Sequence, residues 1–151
     1  MRVVVQRVAS ASVEIEGVTV GAIDRGVLLL VGIDVTDGLP DVDAAVTKLV
    51  GLRIFEDADR KMNLSLSDVA GSALVVSQFT LLGDIRRGRR PSFTRAARPS
   101  SARPLLEAFV EKLRANRIET ATGVFGASMH VASVNDGPVT IILETDAGRV
   151  L

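Results

Sequence analysis

The sequence of 151 residues contains no cysteine, tryptophan or tyrosine, and its single histidine is His130. The absence of cysteine excludes disulfide bonds, thiolate zinc sites and thiol nucleophiles. No acidic pair or cluster has the spacing of a glycosidase or metal site. Any chemistry must therefore depend on few side chains and on the backbone.

Overall charge and hydropathy give no sign of a special partner. The net charge is zero, and 47% of the residues are hydrophobic, as in ordinary globular proteins. The longest apolar run, Val27–Ile33, is far shorter than a membrane span, and the start of the chain does not resemble a signal peptide. We expect one domain over residues 1–151, in the cytoplasm, without membrane association.

Hydrophobic patterning predicts more strands than helices. Two helices are expected, one capped by Asp41 and one over Pro104–Arg117, in which Pro104 fits the first turn. The predicted class is α+β: a compact β-rich domain with antiparallel or mixed, barrel-like sheets and two main helices packed on them. The predicted strands are Arg2–Ala9, Ser12–Glu16, Val18–Ile23 and Val27–Ile33, which form an antiparallel meander, and then Leu74–Phe79, Gly123–Val134 and Val139–Glu144.

Arginine is concentrated in one stretch of the chain. Seven of the fifteen arginines lie between Asp84 and Arg103, with one acidic residue among them. Guanidinium groups suit phosphates, so the stretch is a candidate nucleic-acid contact; a solvated loop with internal salt bridges is the alternative. Phe93 alone offers no aromatic series for base stacking. The candidate phosphate-binding residues are Arg86, Arg87, Arg89 and Arg90.

Ser77 and Thr80 are the candidate nucleophilic hydroxyls. In a regular strand their side chains point to opposite faces, so they can share a site only where the strand ends or bulges. His130 lies in a predicted strand, where a solvated or structural role is favoured over a catalytic one. The segment Asn135–Pro138, taken alone, is typical of a hairpin turn.

Two short motifs are more informative about function when they are taken together: Ser-Gln-Phe-Thr-Leu at 77–81 and Asn-Asp-Gly-Pro-Val-Thr at 135–140. They occur with Lys-Met-Asn-Leu-Ser-Leu at 61–66, Gly-Arg-Arg-Pro-Ser-Phe at 88–93 and Gly-Val-Phe-Gly-Ala-Ser-Met at 123–129. In these motifs and in the opening Met-Arg-Val-Val-Val-Gln-Arg-Val, the chain closely resembles the D-aminoacyl-tRNA deacylases, and the resemblance runs from Met1 to about Thr145.

This resemblance implies a homodimer with active sites at the subunit interface, which hydrolyses the ester of D-aminoacyl-tRNA without metal or cofactor. Ser77, Gln78, Phe79 and Thr80 would line the pocket, together with Met129. Gly137-Pro138 would be a cis peptide inserted from the partner subunit, and Arg7 would hold that motif.

The implied chirality filter works by exclusion. Carbonyl groups of Gly137 and Pro138 would hold the substrate's α-ammonium and leave no room for an L side chain. Glycine has no side chain to exclude, so glycyl-tRNA should also be cleaved. A ribose 2′-hydroxyl could activate water while backbone amides near Gln78 and Phe79 stabilise the oxyanion. Thr80 as a covalent nucleophile is the rival mechanism.

Two other classes of protein remain as alternatives. A tRNA-binding or other nucleic-acid-binding module without hydrolysis would account for the arginines but not for the motifs at 77–81 and 135–140. A small-molecule esterase that uses Ser77 or Thr80 would lack a credible base and should cleave simple esters without tRNA.

Overall fold

A computed structural model describes all of residues 1–151. Seven strands form one mixed sheet in the order β7-β6-β3-β1-β8-β9, with β2 paired to β1, while β4 and β5 form a separate hairpin. None of the helices is both long and apolar enough to cross a membrane. The elements are β1 (Arg2–Ile15), β2 (Val18–Ile23), β3 (Gly26–Gly32), α1 (Leu39–Val50), β4 (Phe55–Glu56), β5 (Met62–Leu64), β6 (Ser72–Ser77), α2 (Pro99–Ala115), β7 (Thr120–Thr122), β8 (His130–Asp146) and β9 (Arg149–Val150).

The sheet curls into a half-barrel, and the two helices cover one of its faces. Alternation places Val3 and Val5 of β1 in the core under the helices, with Phe109 of α2. A smaller apolar cluster, which includes Val13 and Leu74, lies inside the curl. Gly21 permits the curl, since a Cβ there would lie 2.5 Å from the Thr122 carbonyl oxygen. The predicted α+β class, with a mixed, barrel-like sheet and two helices, is confirmed.

The predicted opening meander is wrong. β1 is one strand of 14 residues rather than two, and β2 does not pair with β3. The first half of β1 pairs with β3 and its second half pairs with β2, while β8 follows most of its other edge. A long strand that changes partner resembles two short strands in sequence, because the polar residues at the change interrupt its apolar pattern.

Both predicted helix starts are too late. α1 begins at Leu39 after Gly38, and Asp41 is its third residue, where the carboxylate accepts a 3.0 Å hydrogen bond from the Gly38 amide. α2 begins at Pro99, and Pro104 lies inside it. Pro104 is exposed and sits in the second turn, so the single missing amide donor there is tolerated.

The second half of the chain also departs from the predicted strands. β7 ends at Thr122 and β8 begins at His130, so most of the predicted strand Gly123–Val134 lacks regular structure. The hairpin expected at Asn135–Pro138 is wrong as well, because these residues lie within β8. The pairing of β8 with β1 shifts register there, between Gln6 and Ser10, so Asp136–Pro138 bulges out of the ladder.

Candidate active site

A cavity of about 590 Å³ opens where β6 ends. Eleven of its sixteen lining residues are hydrophobic, which is typical of small-molecule pockets. Ser77, Gln78, Phe79 and Met129, all predicted site residues, line it. The cavity is also lined by residues that were not predicted: Ile33, Phe93, Ala96, Ala97, Pro99, Phe125 and Ala127.

The segment Ser77–Thr80 changes from strand to helix at the mouth of this cavity. β6 ends at Ser77, and a 3₁₀ turn covers Phe79–Leu82. The Gln78 amide donates a 2.8 Å hydrogen bond to the Val31 carbonyl, so it is not free to bind an oxyanion. The first hydrogen bond of the turn runs from the Leu81 amide to the Gln78 carbonyl at 3.2 Å, which leaves the Phe79 and Thr80 amides without partners in the turn.

Thr80 stands beside the cavity rather than in its wall. The Gln78 side-chain amide donates a hydrogen bond to the Thr80 hydroxyl oxygen. An amide cannot accept a proton from that hydroxyl, so this neighbour provides no general base. His130 is exposed at the start of β8 and does not line the cavity either.

Three phenylalanines distant in sequence meet at the cavity. The rings of Phe79 and Phe93 form an edge-to-face pair with centroids 5.1 Å apart, and Phe125 lines the same space. In the sequence Phe93 is a lone aromatic residue, and folding brings Phe79 and Phe125 to it. The motif at Gly123–Met129 contains Phe125, but only Met129 of this motif was predicted to line the pocket.

The wall that contains Phe93 is fixed to the end of β3. The Arg95 guanidinium contacts the buried Asp34 carboxylate at 2.5 Å, and the Val35 amide donates to the Arg95 carbonyl at 2.9 Å. The Ala97 amide donates to the Ile33 carbonyl at 2.9 Å. A segment without regular structure is thereby attached to the end of a buried strand, which fixes the position of this wall.

A second group of predicted residues lies at the β8 bulge. The Arg7 side chain is 5% exposed, and it donates to the Asp136 carbonyl at 3.1 Å and to the Ile54 carbonyl at 2.7 Å. Gly137 has φ +122°, and a Cβ there would lie 2.9 Å from Arg7 Nη2. The peptide bond between Gly137 and Pro138 is cis, and both residues are exposed. Buried Arg7 therefore supports an exposed piece of backbone.

Within one chain these two groups are not brought together. Neither Arg7, Gly137 nor Pro138 lines the cavity at β6.

The arginine-rich stretch lies at the surface beside the cavity. The Arg86 guanidinium donates two hydrogen bonds to the Asp84 carboxylate, from Nε to Oδ1 at 2.8 Å and from Nη2 to Oδ2 at 2.6 Å. This hydrogen-bonded pairing holds the pKa of the exposed Asp84 carboxyl well below its ordinary value and raises the pKa of Arg86. Arg87, Arg89 and Arg90 are exposed and form no ion pair. Of the predicted phosphate contacts, Arg86 is thus already neutralised locally.

Sequence comparison finds a single family over nearly the whole chain, since the D-Tyr-tRNA(Tyr) deacylase family matches residues 4–144. The chain belongs to this family. It is 57% identical over 145 residues to the D-aminoacyl-tRNA deacylase of Chloroflexus aurantiacus, covering 96% of this chain and 91% of that one. It is likewise 57% identical to that of Exiguobacterium sibiricum, over 95% and 99% of the two chains.

Two solved structures share the deacylase fold. The c-Myc DNA Unwinding Element Binding Protein is 40% identical, with a TM-score of 0.91 over 97% of this chain and 100% of its own. A probable eukaryotic D-amino acid tRNA deacylase is 19% identical, with a TM-score of 0.80 over 93% and 97% of the two chains, and it supports the fold alone. The resemblance stated from the sequence is confirmed at the level of family and fold.

Proposed function

We propose that this protein hydrolyses the ester bond between a D-amino acid and the terminal adenosine of tRNA. As a member of the deacylase family, it is a hydrolase that acts on ester bonds. The observation that carries the proposal is the cavity at the end of β6, which combines three phenylalanines with the free amides of a 3₁₀ turn. An aromatic, concave space suits an adenosine ring, and the amides suit a carbonyl oxygen that becomes negatively charged.

The test compares D-tyrosyl-, L-tyrosyl- and glycyl-tRNA as substrates in one assay. We expect the D and glycyl esters to be cleaved and the L ester to be spared. Binding of D-tyrosyl-tRNA without turnover would instead make the protein a nucleic-acid-binding module. Resistance of glycyl-tRNA would contradict selection by exclusion, which is proposed next.

Chiral selection in this proposal comes from the backbone of Gly137 and Pro138. Their carbonyl groups hold the α-ammonium of the substrate and fill the space on one side of the α-carbon, so an L side chain collides. The buried Arg7 supports this role because it fixes the Asp136 carbonyl and crowds Gly137, and a stiff wall rejects better than a yielding one. Since exclusion rewards no particular side chain, many D-amino acids should be accepted.

The proposed active site needs a second subunit. Arg7, Gly137 and Pro138 lie outside the cavity of their own chain, so in a homodimer the motif of one protomer would enter the cavity of its partner. The sheet face opposite the helices offers an interface. There Ile142 of β8 is 57% exposed opposite half-buried Val4 of β1, and Val134, beyond the bulge on β8, is 59% exposed. Covering such an apolar surface stabilises association.

The proposed mechanism uses the substrate's own ribose. Aminoacyl esters are labile, so the protein need only position the ester, let the vicinal 2′-hydroxyl activate water, and stabilise the oxyanion. The amides of Phe79 and Thr80 suit the last role, since the Gln78 amide is bonded to Val31. A Thr80→Ala variant should retain most activity, and a substrate with a 2′-deoxy terminal adenosine should react slowly. The opposite pair of results would favour Thr80 as nucleophile.

We further propose that no metal or cofactor takes part in the reaction. Turnover should then persist in a strong chelator.

We also propose that Arg87, Arg89 and Arg90 contact the tRNA backbone, assisted by Arg86. Binding of tRNA should then weaken as the salt concentration rises. The role in the cell would be proofreading of aminoacyl-tRNA in the cytoplasm, by a single domain over residues 1–151.

A further inference from the structure

A second cavity of about 380 Å³ lies beside the first, between α2 and the chain that follows β7. One wall is a single face of α2, because its residues recur at helical spacing. The facing wall includes Thr122 and Gly123. We call this space the α2 groove, and its helix wall consists of Arg103, Leu106, Glu107, Val110, Glu111 and Arg114.

The α2 groove is continuous with the cavity at β6. Ser77 and Phe125 line both spaces. The Arg103 guanidinium lies 5.0 Å from the centre of the Phe125 ring, so it stands at the junction. A chain that leaves the first cavity at this junction enters the groove directly.

The helix wall of the α2 groove carries two arginines and two glutamates. Arg103 and Arg114 stand at its ends, about 16 Å apart along the helix axis, and Glu107 and Glu111 lie between them. None of these four side chains belongs to an ion pair of the protein. Guanidinium groups bind phosphates, and a glutamate carboxylate accepts a hydrogen bond from the cytosine N4 amino group. Arg103, at the junction, therefore suits the phosphate between two nucleosides, and Glu107, one helical turn further along, suits the cytosine that follows it. Arg114 lies too far from Arg103 to hold the adjacent phosphate, and its guanidinium donates to the Thr120 carbonyl at 3.0 Å.

We propose that the α2 groove binds the nucleotide that precedes the terminal adenosine of the substrate, the cytidine that tRNAs carry at this position. Arg103 holds the phosphate that joins the two nucleosides, and Glu107 and Glu111 accept from the cytosine amino group. This inference rests on the proposed function, because it requires the adenosine to occupy the cavity at β6.

The test compares D-tyrosyl esters of three short RNAs: adenosine, cytidylyl-adenosine and uridylyl-adenosine. We expect KM to be about tenfold lower for the cytidylyl-adenosine ester than for the adenosine ester, with the uridylyl-adenosine ester in between. If all three esters are cleaved with the same KM, the function stands and the groove has no such role. If none is cleaved, the proposed function fails, and this inference fails with it.

Variants of the groove show whether its carboxylates read the base. Glu107→Gln/Glu111→Gln should abolish the preference for cytidylyl- over uridylyl-adenosine, because an amide can pair with either pyrimidine. Glu14→Gln, an exposed change on β1 away from both cavities, should keep the wild-type preference. Equilibrium binding of the unesterified dinucleotides provides a second readout that does not need turnover. An unchanged preference in the double variant would overturn the assignment of the two glutamates.

Discussion

The cavity at the end of β6 is concave and apolar, whereas the β8 bulge at Asp136–Pro138 is exposed backbone supported from beneath by a buried arginine. The cavity can enclose a ligand, whereas the bulge can contact a ligand only from outside. The two differ in complementary ways, since the cavity is enclosed and mostly apolar, whereas the bulge presents exposed backbone without enclosure. This difference favours a site completed by two protomers over one contained in a single chain.

The largest effect should come from Arg7→Ala. The change leaves the Asp136 and Ile54 carbonyls without their donor, so stability should fall by about 1–3 kcal/mol and kcat/KM by at least about 100-fold as the bulge moves. Denaturant titration and deacylation kinetics would measure both. Arg149→Ala, which removes an exposed guanidinium, is the matched control. Normal activity in Arg7→Ala would mean that the bulge keeps its position without this support.

Gly137→Ala tests the bulge while Arg7 itself is kept. The added Cβ would lie 2.9 Å from Arg7 Nη2 in a backbone of positive φ, so the motif must shift, and we expect kcat/KM to fall by about 100-fold. Gly17→Ala controls for backbone strain alone, because Gly17 also has positive φ but a Cβ there would meet open space. Equal activities of the two variants would show that the crowding at Gly137 is unimportant.

Phe93→Ala probes the cavity side of the comparison. It removes the edge-to-face partner of Phe79 and part of the wall, so KM should rise about tenfold with little change in kcat. The control Ile85→Ala removes an exposed apolar side chain from the neighbouring surface, outside the cavity. A loss confined to kcat would place Phe93 in transition-state stabilisation instead of binding.

The smallest effect belongs to the surface arginines. Each of Arg87→Gln, Arg89→Gln and Arg90→Gln should weaken tRNA binding and lower its logarithmic salt slope by about 1. Arg86→Gln should change the slope less, because its charge is already matched by Asp84. Binding titrations at several salt concentrations measure this. Slopes that stay constant across all four variants would assign the stretch a structural role.

Sequence periodicity located β2 and β3 and missed the change of partner along β1. β3 has a continuous apolar pattern and is almost entirely buried, whereas β2 is short and mostly exposed. The positions of both were predicted almost residue for residue. The continuity of β1 was hidden, because it depends on β2 and β8, which pair with it from distant parts of the sequence. The start of α2 at Pro99 was hidden by polar residues whose helical state is decided by packing.

The candidate site shows the same division. The pattern predicted a strand over Leu74–Phe79, whereas β6 ends at Ser77 and Phe79 begins a 3₁₀ turn. The joint role of Ser77–Phe79 with Gly137 and Pro138 came only from the family resemblance. Phe93 was dismissed, since its partners Phe79 and Phe125 lie far from it in the chain. The expectation that the Gln78 amide binds the oxyanion was wrong, because this amide is bonded to the Val31 carbonyl. That bond depends on the β3–β6 register, which no local pattern encodes.

Mixed dimers test the shared site most directly. Phe79→Ala/Phe93→Ala damages the cavity and Gly137→Ala damages the bulge, so each homodimer should have little activity. A refolded equimolar mixture contains heterodimers in which one of the two sites combines an intact cavity with an intact bulge. We predict recovery of about a quarter of wild-type activity in the mixture. Activity no higher than the mean of the two variants, with heterodimers demonstrably present, would contradict a site built from two protomers.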